Sequence, residues 1–395
     1  MKIYRAQWLL PIHQPPIKDG AVLIDRGIIK DYGKASAILK KFKIPFEDLQ
    51  EAIIMPGLVN AHTHLEYSCL HQKIKPSEKF LDWLYPMIEL KKELQTNEIQ
   101  VGIKQGITQL QKSGTVLLGE VTNTGLSTSF LKKSGLSGIL FFELVGNQTF
   151  NIFEKILKNV YSSSSFEIVP ACHAPHTVPE KLLIQVKNYL KKIKTPTSLH
   201  LAESREEMEW IQNKRGGFSD LIQDSVLKNN SQFGKGKGPV KYLLENRFLN
   251  SKTLCVHCVH LSIKEQKLLQ RTRAPIAICP RSNLYTGAGK APIKQLLQNK
   301  IMLCIGTDSL ASNSDLNLWK EMRMLKKLFP FLSYPTILRM ATLHGALALG
   351  FGKTHGSIEK GKKADLIWIK TDQKLKNPYS FLIEEDHEIE GKICE

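Results

Sequence analysis

The sequence predicts an α/β protein: a (β/α)8 TIM barrel with a small β-sandwich domain formed by the N- and C-terminal segments. Two observations predict the barrel. Apolar, strand-like runs alternate with helical patterns along the central part of the chain, and eight such runs can be found. A third observation predicts the added domain, because short strand-like patterns at both ends of the chain flank this central part. A length of 395 residues suits this combination.

The terminal segments contain short strand-like runs separated by turns. KIYRAQWLL, AVLIDRGIIKDYG and AIIMPG follow one another at the start of the chain, and GSIEKGKKADLIWIK returns to this pattern near its end. We therefore expect three parts. Residues 1–54 form the first half of the β-sandwich, residues 55–355 form the barrel, and residues 356–395 complete the sandwich.

The central part favours a closed barrel over an open, doubly wound sheet. Helical patterns such as FLDWLYPMIELKKELQ and PEKLLIQVKNYLKKI separate most of its strand-like runs. An open sheet requires a glycine-rich phosphate turn after its first strand, whereas the first strand here ends in NAHTHLE. The barrel strands are expected at 53–61, 114–122, 137–146, 166–173, 197–203, 253–259, 275–281 and 301–307.

Composition limits the environment and the partners of the protein. The formal net charge is +18, but the basic residues are mostly lysines spread along the chain, which favours a solvated surface over a nucleic-acid site. We read no signal peptide and no membrane span, and seven scattered cysteines suggest reduced thiols in a cytoplasmic protein. Cys255 and Cys258 form a C-x-x-C that reads as strand. No function is assigned to the GKGKG loop at 234–238, and a homodimer is left open.

Metal-ligand side chains occur where several predicted barrel strands end. His62 and His64 follow the first strand, and residues two apart on an extended chain point to the same side. The fifth strand carries His200 and the eighth ends in Asp308. Barrel enzymes keep their active sites at this carboxyl-terminal face. Three imidazoles and one carboxylate there suit a single divalent ion, Zn²⁺ before Fe²⁺.

Four motifs carry a family resemblance: PGLVNAHTHLE, HLAES, VHCVHLS and GTDSLASNSDLNLWKEMR. They resemble motifs of the amidohydrolase superfamily, most of all its branch of adenine, guanine and triazine-ring deaminases and chlorohydrolases. The resemblance covers essentially the whole chain. It implies that His62, His64, His200 and Asp308 bind the metal. It also implies that Glu203 and His257 flank the attacking water and the substrate.

Chemistry assigns a catalytic role to three of these residues. A divalent ion lowers the pKa of water at such a site to about 7. Glu203 is the candidate to take a proton from this water and to donate it to a ring nitrogen. Asp308 can relay the second proton to the leaving ammonia, and His257 can stabilise the attacking oxygen.

Two other hydrolase types and one non-catalytic class of protein are alternatives to this prediction. Dihydroorotase-like relatives hold two metals through a lysine at the end of the fourth strand, and FEIVPACHAPHT offers no lysine there. The cytidine-deaminase type requires H-x-E with P-C-x-x-C on helix starts. His64-Leu65-Glu66 and the segment around Cys255 imitate this pattern on strand ends. A non-catalytic basic barrel that binds nucleic acid is the alternative from another class.

Three parts of the sequence are informative within this branch: HTHLEYS with FLDWL, HLAESREEMEWIQNKRGGFSDLI, and CPRSNLYTGAG. Together they resemble the aminodeoxyfutalosine deaminases of menaquinone biosynthesis. The resemblance implies loss of the 6-amino group from an adenine nucleoside that carries a benzoate. Methylthioadenosine/S-adenosylhomocysteine deaminase is the close alternative, and guanine deaminase is the third.

Four residues are candidates for substrate binding. His173 ends the fourth strand and could donate to a ring or sugar acceptor, or serve the core. Glu66 could bind ribose hydroxyls or support a ligand histidine. Trp83 could form a wall of the pocket or a helix core. Arg281, after the seventh strand, could bind a substrate carboxylate with two hydrogen bonds, or pair with a neighbouring acid.

Overall fold

The computed structural model describes residues 1–146, 148–159, 165–213, 216–219, 238–371 and 374–394. Of the GKGKG loop, only Gly238 lies within the described residues. The strands of the described part are β1 (Lys2–Leu9), β2 (Ile17–Asp25), β3 (Ile28–Lys34), β4 (Phe46–Asp48), β5 (Ala52–Pro56), β6 (Leu58–Thr63), β7 (Thr115–Thr122), β8 (Ser137–Leu144), β9 (Phe166–Cys172), β10 (Thr197–Leu201), β11 (Thr253–His257), β12 (Ile276–Ile278), β13 (Leu303–Ile305), β14 (Leu366–Lys370) and β15 (Gly391–Ile393).

The central strands form a parallel barrel of the TIM type. β6 to β9 pair in chain order, and so do β10 to β13, all of them parallel. The two halves are joined by backbone hydrogen bonds at both seams. The N–H of His200 donates to the carbonyl of His173 at 2.8 Å, and the N–H of Thr307 donates to the carbonyl of His62 at 3.1 Å. The predicted α/β barrel is confirmed.

The first predicted strand, 53–61, is two strands in the structure. β5 pairs with the terminal sheet, whereas β6 pairs with β7 of the barrel. The break falls at Gly57, where a Cβ atom would come within 2.3 Å of the Val116 side chain. Glycine therefore lets the chain pass closely over β7 as it changes sheets.

Helices lie between the barrel strands, and the two helical patterns quoted from the sequence fold as helices Phe80–Glu93 and Glu180–Leu190. Side-chain capping stabilises the N-terminus of some of these helices. Ser262 and Glu265 form a reciprocal capping box before Ile263–Thr272. The other helices within the described residues are Ala35–Lys41, Leu65–Leu70 (3₁₀), Thr96–Lys112, Ser127–Leu131, Phe150–Asn159, Arg205–Asn213, Pro239–Glu245, Pro280–Tyr285, Ile293–Gln298, Leu318–Leu328, Tyr334–Met340, Leu343–Ala348 and Pro378–Glu384.

Alternating residues of the barrel strands pack into two cores. One set packs against the apolar faces of the helices, as Leu118 and Leu140 do. The other set, with Val59, Phe141 and Val256 among its members, forms a separate cluster that fills the barrel interior. This alternation follows from the two-residue period of a strand and leaves the polar strand ends as the place for chemistry.

Both ends of the chain contribute to one further sheet. Its strand order is β15-β14-β5-β1-β2-β3, and β4 also pairs with β1. The terminal segments therefore do meet, as the sequence indicated. The two-layered sandwich and the domain boundaries at residues 54 and 356 stay predictions. Within the described residues, no helix combines the length and the apolar character that crossing a membrane would require.

Candidate active site

Four ligand-type side chains meet at the carboxyl-terminal end of the barrel. The Nε2 atoms of His62 and His64 lie 3.1 Å apart. Asp308 Oδ1 lies 3.7 Å from His62 Nε2 and 3.6 Å from His64 Nε2. A ligand atom of His200 lies within 4.8 Å of ligand atoms of both other histidines. All four residues are buried, and the sequence-predicted metal set is thus brought together.

The local chain geometry explains this convergence. His62 belongs to β6 and His64 follows it, so both rings leave the strand on one side. Asp308 follows β13 with a φ of 59°, and its N–H donates to the carbonyl of His62 at 3.1 Å. The hydroxyls of Ser282 and Ser312 donate to Asp308 Oδ2 at 2.6 and 2.8 Å. These bonds fix the carboxylate with its other oxygen toward the histidines.

The residues fit a divalent metal ion. Burial, together with the neighbouring histidines, lowers the pKa of His62 well below its usual value, and burial lowers the pKa of His64 to about 4. Both rings are therefore neutral at physiological pH, which is the form that binds metals. Burial acts to raise the pKa of Asp308, but the surrounding histidines hold it below its usual value. Three imidazoles around one carboxylate form a set of N and O donors typical of zinc.

Glu203 and His257 lie beside this cluster. The distance from Glu203 Oε1 to His257 Nε2 is 3.6 Å. His257 Nδ1 is paired with Asn283 Oδ1 at 2.8 Å, which sets the ring orientation and directs Nε2 toward Glu203. Burial raises the pKa of Glu203. A carboxyl group that gains and loses a proton more readily near neutral pH suits a proton shuttle.

A cavity of about 950 Å³ opens over these groups. His64, His200, Glu203, His257 and Asp308 line one part of it. Apolar side chains line another part: Phe80, Trp83, Leu84, Met87, Ile88, Val145 and Phe218. The volume is in the range of ligand sites, and the mixture of an apolar wall with a few converging polar groups is typical of them.

Two of the four predicted substrate-binding residues line this cavity. Trp83 is part of the wall, with its Nε1 donating to the carbonyl of Ala311 at 2.9 Å. His173 also lines the cavity, and its Nδ1 is 2.7 Å from the Thr177 hydroxyl. Burial lowers the pKa of His173 to about 3, so the ring is neutral and can present its other nitrogen to a ligand.

Glu66 does not line the cavity, so the structure does not support its predicted contact with ribose. Its carboxylate is buried under the loop that follows β7. The hydroxyls of Thr122 and Thr124 donate to Oε1, and the backbone N–H groups of Asn123 and Thr124 donate to Oε2 at 2.9 and 3.2 Å. These bonds occupy both oxygens, and none of them involves a ligand histidine.

Arg281 is also absent from the cavity wall, so the structure does not support its predicted contact with a substrate carboxylate. Its two terminal nitrogens donate to Asp315 at 2.6 and 3.2 Å, and one of them also donates to the Ser314 hydroxyl. Nη1 lies 3.7 Å from the buried Glu321. The structural alternative holds, because the guanidinium is committed to acids of the chain itself.

Comparison with known proteins identifies the family. The sequence profile of the amidohydrolase family matches residues 53–394. The chain belongs to the amidohydrolase family. This amidohydrolase is accordingly a hydrolytic enzyme that acts on C–N bonds.

Several curated relatives are similar over nearly their whole length. A 5-methylthioadenosine/S-adenosylhomocysteine deaminase from Thermodesulfovibrio yellowstonii is 30% identical over 389 residues, covering 92% of this chain and 84% of the relative. An adenosine deaminase from Helicobacter pylori is 27% identical, covering 93% of this chain and 90% of the relative.

Solved structures share the fold of this amidohydrolase. Helicobacter pylori aminofutalosine deaminase in complex with methylthio-coformycin superposes with a TM-score of 0.90 at 24% identity, covering 100% of this chain and 98% of that one. A zinc-bound adenosine deaminase from Xanthomonas campestris gives a TM-score of 0.84 at 24% identity, covering 100% and 91%. That structure contains bound zinc. In this amidohydrolase, His62, His64 and His200 lie close enough together to hold a divalent metal ion.

Sequence reasoning missed the residues that orient His200, Glu203 and His257 through hydrogen bonds or close polar contacts. Glu143, at the end of β8, has Oε1 3.4 Å from His200 Nδ1. Glu207 accepts backbone hydrogen bonds from the segment that carries Glu203. Asn283 orients His257. Glu143 offered a signal, since it ends a buried strand at the functional face of the barrel, whereas Asn283 and Glu207 lie in helices where polar residues are ordinary.

Proposed function

We propose that this amidohydrolase removes the 6-amino group of an adenine nucleoside by hydrolysis, with 6-amino-6-deoxyfutalosine as the preferred substrate. One observation carries the proposal. Glu203 and His257, 3.6 Å apart, lie beside the histidine–aspartate cluster within a single cavity that also has an apolar wall. Such a cavity can hold a flat base with its reacting edge at the polar end.

The metal site belongs to the same proposal. His62, His64, His200 and Asp308 would hold one divalent ion, Zn²⁺ before Fe²⁺. The bound ion supplies Lewis acidity, which makes water a better nucleophile at neutral pH. Glu143 holds His200 through its Nδ1 side, so that the opposite ring nitrogen is left for coordination.

Three side chains would move or stabilise charge. Glu203 takes a proton from the attacking water and delivers it to the ring nitrogen next to C6. The water oxygen bonds to C6, and His257 stabilises the charge on that oxygen through Nε2. Asp308 passes the second proton to the amino group. The C6–N bond then breaks and ammonia leaves, so that the base carries oxygen in place of nitrogen.

The substrate assignment is supported by the size of the cavity and by the relatives. An adenine nucleoside with an aromatic substituent needs an apolar wall beyond the base site, and Phe80, Trp83 and Phe218 offer one. Relatives named methylthioadenosine/S-adenosylhomocysteine deaminase favour those nucleosides as the second candidate. Guanine deaminase activity is third and rests on a shared fold.

Ammonia release by the purified protein tests the proposal. Aminodeoxyfutalosine, methylthioadenosine, S-adenosylhomocysteine, adenosine and guanine should be compared, with bound metal counted in the same sample. We expect about one tightly bound divalent ion per chain and the highest kcat/KM on aminodeoxyfutalosine. No ammonia from any nucleoside by the metal-loaded protein would overturn the proposal. Metal-independent retention on DNA or RNA would instead favour the nucleic-acid alternative.

We further propose that the protein is cytoplasmic and acts on a free small molecule. We also propose that the terminal sheet is part of a β-sandwich and that the chain divides into the three parts predicted from the sequence. The homodimer that the sequence leaves open is proposed with them. A single sedimentation experiment at several concentrations would decide between monomer and dimer.

A further inference from the structure

Two lysines of helix Phe80–Glu93 line the cavity, and they differ in what neutralises them. Lys92 Nζ lies 2.7 Å from Glu89 Oε1, so its charge is balanced within its own helix. The only hydrogen bond of the Lys91 ammonium within the described part of the chain is to a neutral amide, at 3.5 Å from Asn123 Oδ1. Lys91 is therefore the candidate to form an ion pair with an anionic group of a ligand.

The groups closest to the Lys91 ammonium are neutral. Its Nζ lies 4.9 Å from the centre of the Tyr67 ring, which is a cation–π contact. No carboxylate among the described residues comes within 4.0 Å of it. Loss of hydration lowers the pKa of Lys91, although Glu143 and Glu66 oppose this from a greater distance. Lys91 nevertheless stays exposed at the cavity wall, so its ammonium, which has no close counter-ion, can be reached by an anion on a bound ligand.

The position of Lys91 indicates which part of a nucleoside would reach it. The Tyr67 ring stacks on the ring of His64 at 5.6 Å, so one aromatic ring separates Lys91 from the histidine–aspartate cluster. The reacting edge of the base belongs at that cluster. A group that contacts Lys91 must therefore lie elsewhere on the ligand, on the sugar or its substituent.

We propose that Lys91 is the anion-binding residue of this site and that it takes a carboxylate carried by the sugar-side substituent of the nucleoside. The inference rests on the proposed function and deepens it. The guanidinium of Arg281 is committed to Asp315, and Lys92 is paired with Glu89, so neither competes for this role. Lys91 would then select an anionic nucleoside over a neutral one of similar shape.

The test measures discrimination between two substrates. For wild type, Lys91→Met and Lys92→Met, kcat/KM is determined for aminodeoxyfutalosine, which carries a carboxylate, and for methylthioadenosine, which carries none. The ratio of the two values should fall by about 10- to 150-fold in Lys91→Met. It should stay within about threefold in Lys92→Met, which loses only an exposed pair. Lys91→Arg keeps the charge and should restore most of the ratio.

The outcomes separate this inference from the function on which it rests. Equal losses on both substrates in Lys91→Met, or no rescue by arginine in a folded protein, would overturn the role of Lys91 and leave deamination intact. Deamination of adenosine 5′-monophosphate that depends on Lys91, without such dependence for the carboxylate, would replace carboxylate by phosphate and overturn the proposal as stated. Wild-type protein that releases no ammonia from any nucleoside would remove the proposed function itself.

Discussion

The carboxylate of Glu207 accepts a hydrogen bond from the backbone N–H of Glu203, with 2.7 Å between N and Oε2. Its other oxygen accepts from the N–H of Ala202 at 3.0 Å. Ala202 has a φ of 50°, in the left-handed region that non-glycine residues rarely adopt. Glu207 therefore holds a sharp bend of the chain just after β10, and this bend places Glu203 beside His257.

Replacing Glu207 by glutamine should weaken this bend, because an amide has one acceptor oxygen where the carboxylate has two. We expect Glu207→Gln to lose about 1–3 kcal/mol of unfolding free energy. Turnover should fall about 10- to 100-fold, as for other groups that orient catalytic residues. Denaturant unfolding and kcat are the measurements. Glu209→Gln, on the exposed side of the same helix, is the matched control, and equal effects of the two substitutions would contradict the role of Glu207.

Removing the acid at Glu203 tests proton transfer directly. Glu203→Gln keeps the shape of the side chain but can no longer take a proton from water. Turnover should fall at least about 100-fold, whereas metal content and thermal unfolding should stay close to wild type. A steady-state assay combined with metal analysis gives both results. Near-normal turnover would remove Glu203 from the mechanism.

The sequence allowed the ligand set to be predicted because strand ends are restrictive positions. His62, His64, His200 and Asp308 each follow or end a barrel strand, and a closed barrel brings all such ends to one face. The order of the strands and the alternation of side chains along each strand are enough to deduce that these four residues meet. No distance is needed.

Helix-borne contacts could not be predicted in the same way. Arg281 lies in helix Pro280–Tyr285, and its direction depends on that helix and on Asp315, which is reached through a separate loop. The same limit applies to Lys91. Its closeness to the Tyr67 ring and to the amide of Asn123 are properties of the packed structure. In the sequence it is one lysine in a run of two.

Arg281 should contribute to stability and not to substrate selection. Its side chain is 12% exposed and shares two hydrogen bonds with Asp315. Arg281→Met leaves this acid with Lys320 at 2.9 Å and the backbone N–H of Asn317 at 3.1 Å as partners, and we expect a loss of about 1.5–3 kcal/mol of unfolding free energy. The ratio of kcat/KM between carboxylate-bearing and neutral nucleosides should not change. A selective loss on the carboxylate-bearing nucleoside would restore the contact that the structure argues against.

Glu120 and Glu66 form a buried acidic pair beneath the segment that follows the ligand histidines. Glu120 is fully buried and accepts the N–H of Leu65 at 3.1 Å, while Glu66 receives hydrogen bonds from the loop after β7. Burial, followed by the charge of Glu66, raises the pKa of Glu120 well above its usual value. The folded protein therefore keeps a proton on Glu120 at pH values where the unfolded chain has released it.

The unfolding free energy should consequently fall with rising pH on account of Glu120. The fall begins near the unfolded pKa of about 4.3 and ends at the raised folded pKa, with a slope of up to about 1.4 kcal/mol per pH unit. Glu120→Gln keeps an acceptor for the Leu65 N–H and has no proton to lose, so its stability advantage over wild type should grow from pH 5 to pH 8. Denaturant unfolding at four pH values measures this, with Glu154→Gln, at an exposed helix position, as a control whose difference from wild type should not vary with pH. A difference between Glu120→Gln and wild type that does not vary with pH would show that Glu120 is ionised in the folded protein.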